Sequence, residues 1–171
     1  WTKTNRIPLS YIELIDFLND TVLFVGEGSS LNNLKSTDGG NTWINITIPP
    51  TYLSLTKFQF IDDNSAYALA RIGSTTRRLI KTTDGGVSWS NLDSTRTGLT
   101  GFRFINKNEG WLFGIKLLRT TDGGNTFTNV TLPNNFYNPS SIDVLNDSII
   151  AMGGMNYKVI MHVNLQVHIT A

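Results

Sequence analysis

One nine-residue phrase occurs three times in this chain, at residues 35–43, 81–89 and 119–127. The first copy reads Lys-Ser-Thr-Asp-Gly-Gly-Asn-Thr-Trp, and the core common to all three is Ser/Thr-x-Asp-x-Gly-x-Thr/Ser-aromatic. Repetition at a period of roughly 40 residues marks a solenoid, an array or a propeller. It constrains the fold more tightly than local propensity does. A motif repeated in this way reads as scaffold before it reads as active site.

Aligning the chain on the phrase exposes a longer repeat. The first repeat has an apolar-rich run at 12–18, the turn Asn19-Asp20, and a second run at 21–26. The second repeat has runs at 58–61 and 66–70 around Asp62-Asp63-Asn64. The third has runs at 102–105 and 110–114 around Asn106-Lys107-Asn108-Glu109. A fourth copy, 142–145 and 148–154 around Asn146-Asp147, continues into 158–163 without the Asp-Gly-Gly phrase. Alternating apolar runs separated by Asn/Asp turns are antiparallel strands joined by tight connections. A third strand enters each Asp-Gly-Gly turn, and a fourth begins at the aromatic residue that ends the phrase. No stretch has the periodicity of an amphipathic helix.

Four-stranded units at this period are propeller blades. The expected fold is therefore all-β, a β-propeller of about four repeat units at 9–49, 50–96, 97–133 and 134–171. Trp1 aligns with Trp43, Trp89 and Phe127, so residues 1–8 are expected to form an outer strand able to complete the last blade. A strand from Leu165 to Thr170 is the other candidate for that place. A small closed ring and a piece of a larger propeller are both compatible with this repeat count.

The phrase has a physical purpose of its own. Its Asp can accept bonds from the N–H groups of its own turn, its Gly residues permit positive φ, and its hydroxyls add side-chain-to-backbone bonds. The aromatic packs beneath the turn. Calcium would need several oxygen ligands, whereas each turn offers one carboxylate, so the turns are read as hairpin locks. The structural residues expected on this basis are Asp38, Gly40, Thr42 and Trp43; Asp84, Gly86, Ser88 and Trp89; and Asp122, Gly124, Thr126 and Phe127.

Charge and composition narrow the function classes. The net charge of +1 gives no electrostatic footprint for nucleic acid. The local basic group Arg71, Arg77, Arg78 and Lys81 reads as a solvated hairpin. The absence of cysteine excludes a disulfide framework and a thiolate metal site. The histidines, His162 and His168, lack neighbouring carboxylates and make a poor metal site. No metal or cofactor is expected. No apolar run approaches the roughly 18 residues of a membrane span.

The phrase matches the Asp-box, or bacterial neuraminidase repeat. Asp-boxes occur in sialidases, xyloglucan-type glycoside hydrolases, sortilin-type receptors and photosystem II assembly-factor-like proteins. The third repeat, with Gly110-Trp111-Leu112-Phe113-Gly114 followed by Thr120-Thr121-Asp122-Gly123-Gly124, most resembles the last group. The resemblance implies that the boxes lie at the blade periphery, away from the substrate face, and take no part in catalysis. Arg6-Ile7-Pro8 and Glu27-Gly28 are similar to sialidase phrases, but Ser29 stands where the second phrase has Arg. No full sialidase set can be placed. No catalytic residue is expected, nor is any carboxylate pair singled out for glycoside hydrolysis. The function expected is a non-enzymatic, protein-binding or assembly scaffold outside the cytoplasm. The alternative is a glycan-acting hydrolase or its carbohydrate-binding part.

One set of positions is less bland. On the first strand of each repeat, Asp16, Gln59, Arg103 and Asp143 stand between apolar neighbours. If the first strands surround an axis, these four side chains form a ring, either mutually satisfied or open to a small polar ligand. Tyr52, Phe136, Tyr137 and Tyr157 are surface candidates for a protein partner.

Overall fold

In each of the first three sheets an Asx residue closes the bend of the first hairpin. In the computed structural model of the chain, Asn19 Oδ1 accepts from the backbone N–H groups of Thr21 (2.9 Å) and Val22 (2.8 Å). Asp62 Oδ1 does the same for Asn64 and Ser65, and Asn106 Oδ1 for Asn108 and Glu109. These side chains replace a backbone acceptor at the bend, which is why Asn and Asp occupy it. The structure describes residues 7–92, 98–132, 138–146 and 149–154.

The chain divides into two compact units, a first half, Trp1–Thr97, and a second half, Gly98–Ala171. In the first half β1 (Leu14–Phe17), β2 (Leu23–Gly26), β3 (Asn33–Ser36) and β4 (Ile44–Asn45) form one antiparallel sheet in chain order. A second sheet follows with β5 (Ser54–Phe60), β6 (Ala66–Arg71), β7 (Arg77–Thr82) and β8 (Ser90–Asn91). In the second half β9 (Leu99–Phe104), β10 (Gly110–Gly114), β11 (Leu117–Thr120) and β12 (Thr128–Val130) repeat the pattern, and β13 (Pro139–Asn146) pairs with β14 (Ile149–Gly154). No helix occurs among the described residues. The first strands of successive sheets lie against each other, β1 against β5 and β9 against β13. These are propeller blades, about four in number, with the first strand of each innermost.

The boundaries differ from the sequence reading in detail. The strand β5 begins at Ser54, not Phe58, because a bulge between Leu55 and Lys57 lets the pairing with β6 continue. The fourth strands are short and exposed, which limits the unpaired edge each blade offers. Residues 1–6, the run from Leu165 to Thr170, His162, His168, Phe136, Tyr137 and Tyr157 lie outside the described residues.

Each half has its own core. In the first, Phe24 of β2 stacks face to face on Phe58 of β5, with ring centroids 3.7 Å apart, and Phe60 meets Phe58 edge-on at 4.9 Å. Val22, Ile46, Leu55 and Ile80 fill the space around them. In the second half, Trp111, Phe113 and Leu117 pack against Ile142, Val144, Ile150 and Met152. Tyr52 corrects the sequence reading: it is buried in the first core. The bond from Tyr52 N to Pro49 O bends the 49–53 connection, and Leu53 N is tied to Arg71 O, so the tyrosine points inward. Burial raises the pKa of its phenol.

Candidate functional site

The three repeated turns share one hydrogen-bond pattern. In the first, Ser36 Oγ donates to Asp38 Oδ1 (2.8 Å) and accepts from Gly40 N (2.8 Å). Thr42 N donates to the same Oδ1 at 2.9 Å, and Thr42 Oγ1 donates to Oδ2 at 2.6 Å. Thr82, Asp84, Gly86 and Ser88 reproduce the pattern, as do Thr120, Asp122, Gly124 and Thr126. Both carboxylate oxygens of each Asp are thus engaged by its own turn. The glycines take positive φ, 72° and 87° in the first copy. Trp43 Nε1 donates to Gly40 O, while Trp89 packs on the first core and meets Phe58 edge-on. The first glycine N–H of each turn reaches the neighbouring hairpin bend of its own blade: Gly39 to Thr21 O, Gly85 to Asn64 O and Gly123 to Asn108 O. Each phrase therefore clamps the two turns at one end of its blade.

These bonds have an electrostatic consequence. The hydroxyl and amide of Thr42 and the hydroxyl of Ser36 stabilise the charged form of Asp38 and hold its pKa at about 2, against 3.8 ordinarily. Asp122 is held at about 2, chiefly by Thr126, and Asp84 is lowered further, chiefly by Ser88. A depressed folded-state pKa means that the unfolded chain binds more protons as pH falls below the ordinary value. The stabilisation is complete above pH 3.8 and is lost as pH falls towards 2. Urea midpoints measured from pH 5 downwards, a range of about 3 units around the carboxylate pKa, should drop in this window. The Asp122→Asn variant should be less stable at neutral pH and show a shallower acid slope.

The inner strands carry a second repeated pattern. Strand register places Asp16 beside Phe24 and Phe24 beside Lys35. It likewise aligns Gln59, Tyr67 and Lys81, and then Arg103, Trp111 and Arg119. Directly paired residues project from the same face of a sheet. Each of these blades therefore presents a row that runs polar, aromatic, basic from its inner strand outward. In the fourth, Asp143 stands beside Ala151.

These rows join blades within each half. Asp16 Oδ2 accepts from Phe60 N at 2.6 Å, next to Gln59, which is itself buried. Arg103 Nε lies 3.2 Å from Asp143 Oδ1, an ion pair without the alignment of a hydrogen bond. The structure thus brings Arg103 to Asp143, and Asp16 to the backbone beside Gln59, with the two pairs in different halves. At the other end of the first row, Lys35 is buried. Its Nζ donates to Asp63 O at 2.7 Å and lies 5.5 Å from the centroid of the Phe60 ring. Lys81 lies over Tyr67, and Arg119 lies over Trp111 while donating to Glu109 Oε1 at 3.1 Å.

Sequence reasoning gave Lys35 and Arg119 no role and read Lys81 only as part of a solvated hairpin, although the three open the three copies of the repeated phrase. Their constancy of charge was the available signal. The group Arg71, Arg77, Arg78 and Lys81 does form the β6–β7 hairpin, but its members are half-buried, not fully solvated. Glu27 is a latch. Buried at the end of β2, it accepts from Ser10 N, Ser30 Oγ and Asn32 Nδ2, each at 2.8 Å, and the Ser10 amide leads in lowering its pKa. Its role is to hold the lead-in to β1. Among the described residues, no three metal-ligating side chains cluster.

No protein-family model matches the chain, and no curated protein matches it in sequence. Solved structures do match, at low identity. A GH74 enzyme from Niastella koreensis aligns with a TM-score of 0.62 and 19% identity, over 82% of this chain and 26% of that one. YCF48 bound to a D1 peptide aligns at 0.59 and 16%, over 85% of this chain and 52% of that one. The computationally designed Ika4 protein aligns at 0.62 and 13%, over 94% of this chain and 96% of that one. The chain therefore spans about a quarter of the GH74 enzyme and about half of YCF48. At these identities the likeness establishes the β-propeller fold and no activity.

Proposed function

We propose that this propeller is a non-enzymatic scaffold that binds or assembles another protein, and that it works outside the cytoplasm. The fate of eight carboxylates among the described residues carries the reading. Glycoside hydrolysis needs one carboxyl with a raised pKa and a second about 5–5.5 Å or 6.5–9.5 Å away. Here the turn aspartates are consumed by their own hydroxyls and amides, which suits Asp-boxes acting as hairpin locks. Asp62 closes a bend, Glu109 pairs with Arg119, and Glu27 holds the lead-in to β1. Asp16 and Asp143 join neighbouring inner strands. The shifted carboxyl groups Glu27, Asp38, Asp84 and Asp122 all move downward, opposite to a general acid.

A protein partner is further supported by YCF48, a propeller whose structure was solved with a bound D1 peptide. Of the inner-strand set, Arg103 and Asp143 keep the accessible side chains that a polar group of a partner could reach. The setting outside the cytoplasm rests on the Asp-box resemblance and is checked by fractionating cells that express the protein. The second reading, a glycan-acting hydrolase, is supported by the fold shared with the GH74 enzyme. Incubation with sialosides, xyloglucan oligosaccharides and other glycosides, alongside a glycan array, should give neither turnover nor binding. Turnover that disappears in Asp16→Asn or Asp143→Asn would make the protein a hydrolase.

A further inference from the structure

Each repeated turn combines its lock with a reactive bond. Asp-Gly occurs at 38–39, 84–85 and 122–123 and nowhere else in the chain, and Asn-Gly does not occur. The turn needs glycine there, because Gly39, Gly85 and Gly123 take φ of 72°, 75° and 71°. With no Cβ, the same glycine leaves its amide nitrogen unscreened beside the preceding carboxyl. That nitrogen can attack the Asp Cγ. The N–Cγ bond forms, a Cγ–O bond breaks and one water leaves, which closes a succinimide. Water then adds back at one of the two ring carbonyls. One opening restores aspartate. The other routes the main chain through Cγ and leaves isoaspartate, at unchanged mass. No oxidant or cofactor is needed.

The fold opposes both partners in that reaction. The hydrogen on the attacking nitrogen is held within the blade: Gly39 N donates to Thr21 O at 2.9 Å, Gly85 N to Asn64 O at 2.8 Å and Gly123 N to Asn108 O at 2.7 Å. An imide nitrogen carries no hydrogen, so closing the ring forfeits that bond. The attacked carboxyl is held as well. Oδ1 of each Asp takes a hydroxyl from two residues before it and an amide from four residues after it. Oδ2 takes the hydroxyl of the later residue. The succinimide keeps one of those two oxygens, so the pattern cannot survive ring closure. These donors also favour the carboxylate over the acid, and the carboxylate is the poorer target for a nucleophile. Isoaspartate adds an atom to the main chain and shortens the carboxylate arm by one carbon, so it cannot rebuild the turn.

We propose that Asp38, Asp84 and Asp122 are modification sites gated by the fold. Each isomerises when its own turn is released from the neighbouring bend, and the isoaspartate then keeps that end of the blade from closing. An opening that would otherwise reverse is recorded and made permanent, one blade at a time. The gating is independent of what the propeller binds.

The test is to incubate the chain at neutral pH, digest it and map isoaspartyl peptides, using methyl transfer by an isoaspartyl methyltransferase as the probe. In guanidinium chloride, isoaspartate at residues 38, 84 and 122 should accumulate at least about tenfold faster than in the folded chain. Thr126→Val, at an exposed position, removes the hydroxyl that serves Asp122 Oδ2. It should raise isomerisation at Asp122 by at least about threefold and leave Asp38 and Asp84 at the wild-type rate. Thr126→Ser should restore the wild-type rate, since Ser88 already fills this place on Asp84. Wild-type chain aged in denaturant should regain its far-UV spectrum in lower yield than chain freshly denatured. Equal rates in folded and denatured wild type overturn the proposal. So does a folded Thr126→Val protein in which Asp122 is unchanged, or in which all three sites rise together.

Discussion

Replacing Trp111 by alanine is expected to cost about 3–5 kcal/mol, a large share of the about 5–15 kcal/mol that a domain holds in all. The indole is fully buried at the centre of that core, against Ile142, Val144, Ile150 and Met152. It also carries the Arg119 guanidinium over its face. Alanine would remove the apolar contacts with the fourth repeat and leave Arg119 without its ring. Trp111→Phe should behave differently. The indole N–H is buried with no acceptor among the described residues, and phenylalanine removes it while keeping a ring for the guanidinium. The gain from deleting an unpaired donor offsets the lost area, so the change should cost about 1 kcal/mol or less. Urea unfolding followed by far-UV circular dichroism would measure both. Equal losses would mean that the N–H contributes to stability after all.

The repeated phrase made the blades readable because it is local chemistry. An Asp flanked by hydroxyls two residues before and four after can close a turn with no help from the rest of the molecule, as Asp38, Ser36 and Thr42 do. The Asx bends at Asn19, Asp62 and Asn106 are local in the same sense. What the sequence concealed depends on contacts across strands and blades. Tyr52 looks like a loop aromatic until the Leu53–Arg71 bond turns the connection inward. Lys35 looks like a surface charge until Asp63 O and the Phe60 ring, both from the next blade, are brought to it. Alternation showed that Asp16, Gln59, Arg103 and Asp143 were equivalent positions. It could not show that Asp16 would be spent on a backbone amide and Arg103 on Asp143.

The glycine that ends β10 should be nearly as unforgiving as Trp111, for a reason of space. A Cβ built on Gly114 would stand 2.0 Å from the carbonyl oxygen of Gly98 and 3.1 Å from Leu99 Cα. Those atoms are backbone, at the first residue of the neighbouring strand and the residue before it, so no side-chain rotation can relieve the overlap. The pairing of β9 with β10 already shifts register between Phe113 and Gly114, which brings the two chains together at that point. Gly114→Ala must therefore pry the start of β9 away from β10, and a cost of at least about 3 kcal/mol is expected. Gly73→Ala is the control, because a Cβ there meets nothing within 4 Å and should change stability by no more than about 0.5 kcal/mol. The tryptophans are Trp1, Trp43, Trp89 and Trp111, so in the second half the emission comes from Trp111 alone. In Gly114→Ala its red shift should come at lower urea than in the parent. An unmoved midpoint would mean that the β9–β10 register can slip by enough to admit a methyl group.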